Sequence, residues 1–351
     1  MFYLSRDEAG KWRGLANAVL DGERFDPSVL ADRPIFLRPA LCYYLGTSLL
    51  ASGRVEEARR WLLLGAGTEP IRASSYLLDY LERHAGELTV VQPSFSDPRP
   101  WTYFSSLPHL KSAREVLIRF CERSLPEFEG PLRVMDIGCG NGELTLAVLE
   151  RLIGSGKAQC VGEVLLLDPS PEMLTAARSR VSRTFPEAEV LTVGGKLETA
   201  SSDLPRGFDF ALCALSIHHM PYEQKAVHME ALSKAVEHVV VFELGANHDK
   251  PEMCSPELVF SVYQTFGQSL EYVFGQEAPV DVQRACADIF VMSEAISLLI
   301  EPRGKRTEYH LPGKQWHELL ESACSPKMTC LGETTCFSDE YCELLALHYG
   351  C

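Results

Sequence analysis

The chain reads as an α/β protein: a doubly wound, mostly parallel sheet of seven strands, with an α-helical N-terminal domain and a helical insertion after strand five. Three observations predict this. A buried-strand pattern over residues 133–137 runs into Gly138-Cys139-Gly140-Asn141-Gly142 and then into a helical stretch over 143–153. Beyond it, short apolar runs alternate with helical stretches, as a parallel sheet covered on both faces requires. Ahead of residue 90 the apolar spacing is helical. At 351 residues, 46% of them hydrophobic, there is room for one large domain and a smaller one.

The N-terminal part comes first. Residues 41–50 and 55–64 are apolar-periodic and split by Ser52-Gly53. Gly46, Gly53, Ala58, Leu62 and Pro70 fall at spacings similar to a tetratricopeptide repeat, a helix–turn–helix unit. Only one repeat is complete, and a lone repeat cannot bury its own faces. It is therefore expected to pack on the rest of the chain or on a second copy, as a lid or homodimer element. Pro93, Pro98, Pro100 and Pro108 predict extended or looped backbone over 90–108. The expected domains are an α-helical one over 1–100 and a second over 101–351, the latter carrying a helical cap at about 250–310.

In the second domain an amphipathic helix over 112–124 leads into the core. Strands are expected at 133–137, 164–167, 189–193, 208–214 and 238–243, with helices near Glu143, Ser170 and Glu223. Ser170 is a plausible N-cap, and Pro171 suits the first helical position. Residues 258–274 and 280–299 have helical periodicity, a helix follows over 314–322, and 327–330 and 341–347 are candidate strands six and seven. Ligands of such sheets bind beyond the carboxyl ends of the strands. That rule brings Asp136, Asp168, Lys196, Ser216 and Glu243 toward one rim.

Charge and cysteine content limit the function. The net charge of −15 argues against a broad nucleic-acid surface, which needs clustered cations. No apolar run is long enough to span a membrane, and the first ten residues lack the apolar core of a signal peptide. Twelve cysteines without that signal are expected as free thiols in a reducing cytoplasm. Cys324, Cys330, Cys336 and Cys342 recur every six residues, a spacing unlike that of structural zinc ligands. No metal is expected.

The glycine turn carries the chemistry. Asp136 precedes it at the strand end, where a carboxylate is a poor host for pyrophosphate and a good one for an ammonium group. Asp136-Ile137-Gly138-Cys139-Gly140-Asn141-Gly142 resembles the first motif of the class I methyltransferases that use S-adenosylmethionine. Its G-x-G-x-G spacing brings the third glycine one residue earlier than the dinucleotide fingerprint does. The resemblance implies that Gly138, Cys139, Gly140 and Asn141 cradle the amino-acid part of the cofactor, with Asp136 facing its amino group; Cys139 is given no chemistry of its own. Asp168, ending the second strand, can accept both hydroxyls of a ribose. The phrase L-D-P-S-P-E-M-L is similar to the family's second motif, which implies that Pro169 and Met173 flank the adenine. Lys196 stands where that family usually has an acid, so backbone contact at Lys196 and Leu197 is expected.

Leu215-Ser216-Ile217-His218-His219-Met220-Pro221 resembles the fourth motif of small-molecule methyltransferases. That implies Leu215 and Ser216 beside the cofactor, with His218 and His219 toward the substrate. Histidine is suited to accept the acceptor's proton near neutral pH. Glu243, Asn247 and His248, with Asp249, would form an acidic rim fit for a cationic substrate, Glu243 serving catalysis as well. By the same resemblance, Tyr103 and Phe104 wall the substrate pocket. The K-P-G-G turn usual before strand five is absent. The likeness is good over residues 110–245, and the C-terminal layout is also similar to the GRAS family of plant regulators. Those share the fold and generally lack an intact glycine turn, which this chain has. The expectation is methyl transfer to nitrogen or oxygen of a small polar metabolite, amino-acid-like or cationic, with no nucleic-acid or membrane partner. The competing expectations are a non-catalytic regulator or scaffold that holds a protein partner through the helical domain, and a nicotinamide-dependent oxidoreductase.

Overall fold

The computed structural model describes residues 2–23, 25–91, 97, 99–324, 326 and 328–351. They divide into two compact units. One draws on residues 1–108, 246–309 and 339–342, and the other on 109–245, 310–338 and 343–351.

The second unit holds the sheet. Its strands are β1 (Pro131–Ile137), β2 (Cys160–Asp168), β3 (Glu189–Gly194), β4 (Phe208–Ala214), β5 (Val236–Leu244), β6 (Thr329–Ser338) and β7 (Glu343–Gly350), in the order β3-β2-β1-β4-β5-β7-β6. All neighbours from β3 to β5 are parallel; β7 runs antiparallel to both β5 and β6. Val164 to Leu167 and Val239 to Phe242 are buried without alternation, because helices cover both faces of the central strands. The chain winds outward from β1 in both directions, to β2 on one side and later to β4 on the other. The crevice between the ends of β1 and β4 is therefore the topological switch point, where such sheets bind ligands.

β6 is longer than the apolar run 327–330 suggested, and Lys327 itself lies outside the described residues. From Leu331 to Thr335 the edge strand is exposed or half-buried and carries Gly332, Glu333, Thr334 and Thr335. Its polarity hides it from a search for apolar runs. The helix Gly313–Cys324 packs against the helix Tyr222–Ser233 and against β6 and β7, and its Trp316 is fully buried in one core with Phe208, Met229 and Leu232. The Trp316 indole N–H donates to the Leu244 carbonyl at 3.3 Å, and the Lys225 ammonium lies 5.6 Å from its ring centre.

The first unit is helical. Arg38–Ala51 and Val55–Ala66 form the repeat-like pair, and they approach closely because Gly46 has no side chain: a Cβ there would lie 2.7 Å from Leu62 Cγ. The apolar partner this pair requires comes from the same chain. The helices Ala73–Arg83 and Pro256–Phe274, and those beyond as far as Ile300, share one core with it. Residues 280–300 are helical throughout but widen into a π-turn at Asp288–Met292. The segment expected to be looped contains an eight-residue helix, Arg99–Ser106. Pro100 falls in its first turn, where the missing N–H costs nothing, and the Asp97 carboxylate accepts the Arg99 N–H at 3.0 Å. Pro93 and Pro98 lie outside the described residues. All twelve cysteines are free thiols.

Trp316→Ala should cost about 3–5 kcal/mol, the usual range for a large aromatic removed from a core, seen as an earlier guanidinium unfolding transition. An unchanged midpoint would make that helix peripheral to the sheet unit.

Candidate functional site

The sheet unit places the glycine turn and the turn after β4 side by side. Gly138, Gly140 and Gly142 have φ of +75°, +51° and +74°, which side-chain-bearing residues rarely adopt. Two of them are also closed in by packing. A Cβ on Gly138 would lie 2.4 Å from Ser216 Cβ, and one on Gly142 would lie 2.9 Å from Ala177 Cα. The Gly138 and Cys139 N–H groups donate to the Leu167 carbonyl at 2.8 and 3.0 Å, which fastens the turn to β2. Gly142 then caps the helix Glu143–Gly154.

The two strand-end acids flank this turn. Asp136 is buried, and Thr145 Oγ1 donates to its carboxylate. Burial raises its pKa to about 7; the Thr145 bond opposes the rise and the charge of Asp168 adds to it. Asp168 accepts the Gly140 N–H at 2.9 Å on one oxygen and the Ser170 N–H at 2.9 Å on the other. Burial raises its pKa as well, against those two bonds. Ser170 Oγ accepts the Met173 N–H and caps the helix Pro171–Thr184. Pro169 is exposed and Met173 buried. Asn141 Oδ1 accepts the Glu143 N–H at 3.1 Å. Burial, with Asp136 and Asp168 nearby, pushes the Cys139 thiol far up, so it is inert at neutral pH. Lys196 is exposed with its carbonyl accepting the Thr199 N–H, and Leu197 is buried.

The turn after β4 is held from β5. Leu215 has φ of +50°, a left-handed conformation costly for leucine, and its N–H donates to the Phe242 carbonyl at 2.8 Å. Glu243, at the end of β5, is fully buried. Its Oε1 accepts the N–H groups of Ser216, Ile217 and His218 at 3.0, 2.7 and 3.3 Å, and Oε2 meets His218 Nδ1 at 2.6 Å. The carboxylate thus stands behind the turn rather than on an open rim. His218 is buried and His219 exposed. Ser216 Oγ is shut away from solvent with no hydrogen-bond partner among the described residues. A buried donor without a partner against a glycine-lined turn suits a polar ligand.

The other expected substrate residues belong to the helical unit. The Tyr103 hydroxyl donates to the Val273 carbonyl at 2.5 Å, and Phe104 stacks on Phe290 at 5.2 Å. The Asn247 N–H donates to Ser261 Oγ at 3.2 Å; His248 is buried and stacks on Phe266. Asp249, expected on an acidic rim on the substrate side, is buried and paired with Arg303 at 3.0 Å. One residue of the sheet unit escaped the sequence reading. His310 is buried with its ring centre 4.5 Å from that of His218. No motif surrounds it; the parallel bridge of Leu311 to Gly245 places it.

Residues 134–238 match the family model described as a methyltransferase domain. No curated protein matches the chain. Among solved structures, SCL7 of Oryza sativa is similar over 91% of this chain and 100% of its own, at 14% identity and a TM-score of 0.61. Magnesium protoporphyrin IX methyltransferase (ChlM) of Synechocystis PCC 6803, with bound SAH, matches 80% of this chain and 96% of its own at 13% identity and 0.41. An S-adenosylmethionine-dependent methyltransferase of Clostridium acetobutylicum ATCC 824 matches 79% and 97% at 13% and 0.40. The matched segment, β1 to the start of β5, is similar to a methyltransferase domain, and the sheet around it has the α/β fold of the first of these structures. S-adenosylmethionine is the cofactor of such domains, and the left-handed glycine turn, the two buried acids and the Ser216 hydroxyl fit it.

An ammonium group favours ionised Asp136, whereas the ligand-free protein holds this acid protonated below about pH 7. Affinity for S-adenosylhomocysteine should therefore fall as pH drops from about 7 toward 5, by up to about tenfold per unit. Calorimetry across that range checks it, and Asp136→Asn should flatten the profile. A wild-type profile that is already flat would remove Asp136 from the amino group.

Proposed function

We propose that the chain transfers a methyl group from S-adenosylmethionine to an oxygen or nitrogen of a small polar metabolite. The observation that carries this reading is the pairing of two turns at the sheet's switch point, one fit for the cofactor and the other presenting an oriented histidine.

The bound cofactor supplies an activated methyl on a sulfonium, so the protein's work is placement and proton removal. Gly138 to Asn141 leave room for the aminoacyl end. Asp136 would face its ammonium, Asp168 would take the ribose hydroxyls, and Pro169, Met173, Lys196 and Leu197 would border the adenine. Leu215 and Ser216 close the side toward the acceptor. Glu243 fixes the His218 ring through Nδ1 and leaves Nε2 on its far edge. His218 would take the proton that the acceptor loses, and the Glu243 carboxylate would stabilise the resulting imidazolium. His219 is read as a further substrate contact, and the helical segment 1–100 as an element for a second copy or a protein partner. The twelve free thiols agree with a reducing compartment.

The test is calorimetric binding of S-adenosylmethionine and S-adenosylhomocysteine, with NADH as the control. Asp136→Ala and Asp168→Ala should each weaken binding about 10–100-fold, the worth of a hydrogen bond to a charged group, with the fold intact by circular dichroism. Unchanged affinity in both overturns the cofactor assignment. His218→Ala should lower turnover at least about a hundredfold, the usual contribution of a general base, while cofactor affinity stays the same. Full activity in that variant sinks the role given to His218.

A further inference from the structure

His310 has no part in the cofactor cradle, yet it is buried beside the one histidine that the site orients. The two rings lie 4.5 Å apart and are tilted by 34°. A ring nitrogen of each lies within 4.8 Å of the other, so that with the His218 ring held by Glu243 a turn of the His310 ring brings both onto one ion. Tetrahedral coordination at about 2.0–2.1 Å sets two imidazole nitrogens about 3.3 Å apart. Glu243 supplies the second observation. Its fully buried carboxylate meets His218 Nδ1 at 2.6 Å. A metal-bound imidazole usually has such a carboxylate on its other nitrogen, where it fixes the tautomer and strengthens the ligand.

We infer that His218 and His310 form a two-imidazole site for a divalent transition-metal ion, with Glu243 as the carboxylate that orients His218. Nitrogen donors suit Zn²⁺, Co²⁺ or Fe²⁺ better than Mg²⁺ or Ca²⁺. The two imidazoles fill only part of the coordination sphere, which leaves room for a hydroxyl or carboxylate oxygen of the acceptor. The inference rests on the proposed function for its role and not for the binding itself. It narrows the acceptor to an oxygen nucleophile: coordination lowers the hydroxyl's pKa, the proton leaves to water, and the methyl passes from sulfur to the coordinated oxygen. The His218 nitrogen that would take a proton is the one that would hold the ion, so the metal replaces His218 as the activating group.

The experiment is a Co²⁺ titration of the full, metal-stripped chain, followed by visible absorption, with Zn²⁺ as competitor. One equivalent should bind saturably and be displaced by Zn²⁺. His218→Ala and His310→Ala should each abolish the band, and Glu243→Gln should weaken binding about 10–100-fold. His317→Ala, on the helix Gly313–Cys324, should leave it unchanged. If His310→Ala does not fold, His310→Phe keeps a ring and removes both nitrogens. No saturable band in the folded wild type, or an undiminished band in the His310 variant, overturns the site. Titrating S-adenosylhomocysteine into the same samples separates the two failures. Cofactor binding without Co²⁺ binding ends this inference alone, whereas Co²⁺ binding without cofactor binding ends the functional reading.

Discussion

The sheet unit depends on a close approach that leaves no room for a single carbon atom. At the point where the strand order reverses, Gly138 passes so near Ser216 that any Cβ would collide with it. Only glycine, in a left-handed conformation, lets the turn after β1 and the turn after β4 meet. The rest follows from that meeting. Asp136 and Asp168 come to flank one turn, and Leu215 accepts an unfavourable backbone conformation so that the other can bend toward it. Glu243 then spends its whole carboxylate on holding the second turn in place.

Much of this arrangement was legible in the chain. The strands β1, β2, β4 and β5 announced themselves as apolar runs because both faces of the central sheet are covered. The glycine turn, Asp168 and the Ser170 cap were legible because each is a local feature, set by neighbours a few residues away. What escaped was non-local. His310 lies in an irregular stretch and gains its position from one bridge beside β5. Glu243 was visible as an acid at a strand end, but its three backbone donors come from a turn 25 to 27 residues earlier. No spacing rule reveals such a bond.

The helical unit teaches the complementary lesson. Gly46, Ala58 and Leu62 marked a helix pair, and they pack as a pair. The helices Arg6–Leu20 and Ala73–Arg83 were passed over, although the first carries a readable start: Ser5 accepts the Glu8 N–H as an N-cap, in the S-x-x-E sequence pattern. The proline-rich stretch was misjudged in the opposite direction. Prolines break helices from within and are welcome in the first turn, so their number mattered less than the position of Pro100.

The π-turn at Asp288–Met292 has a consequence for how this chain can vary. Buried pairs recur along these helices at Val282/Gln283, Cys286/Ala287, Val291/Met292 and Ala295/Ile296, four, then five, then four residues apart. The wider turn absorbs one surplus residue and keeps the apolar stripe facing the same core. It is a scar of length: a one-residue deletion there would tighten the coil to an ordinary α-helix while every later side chain kept its bearing. The same deletion one turn earlier or later would rotate all that follows by about 100° and turn Ala295, Ile296 and Leu299 out of the core. Tolerance to insertion and deletion in this helical stretch is therefore concentrated at one turn.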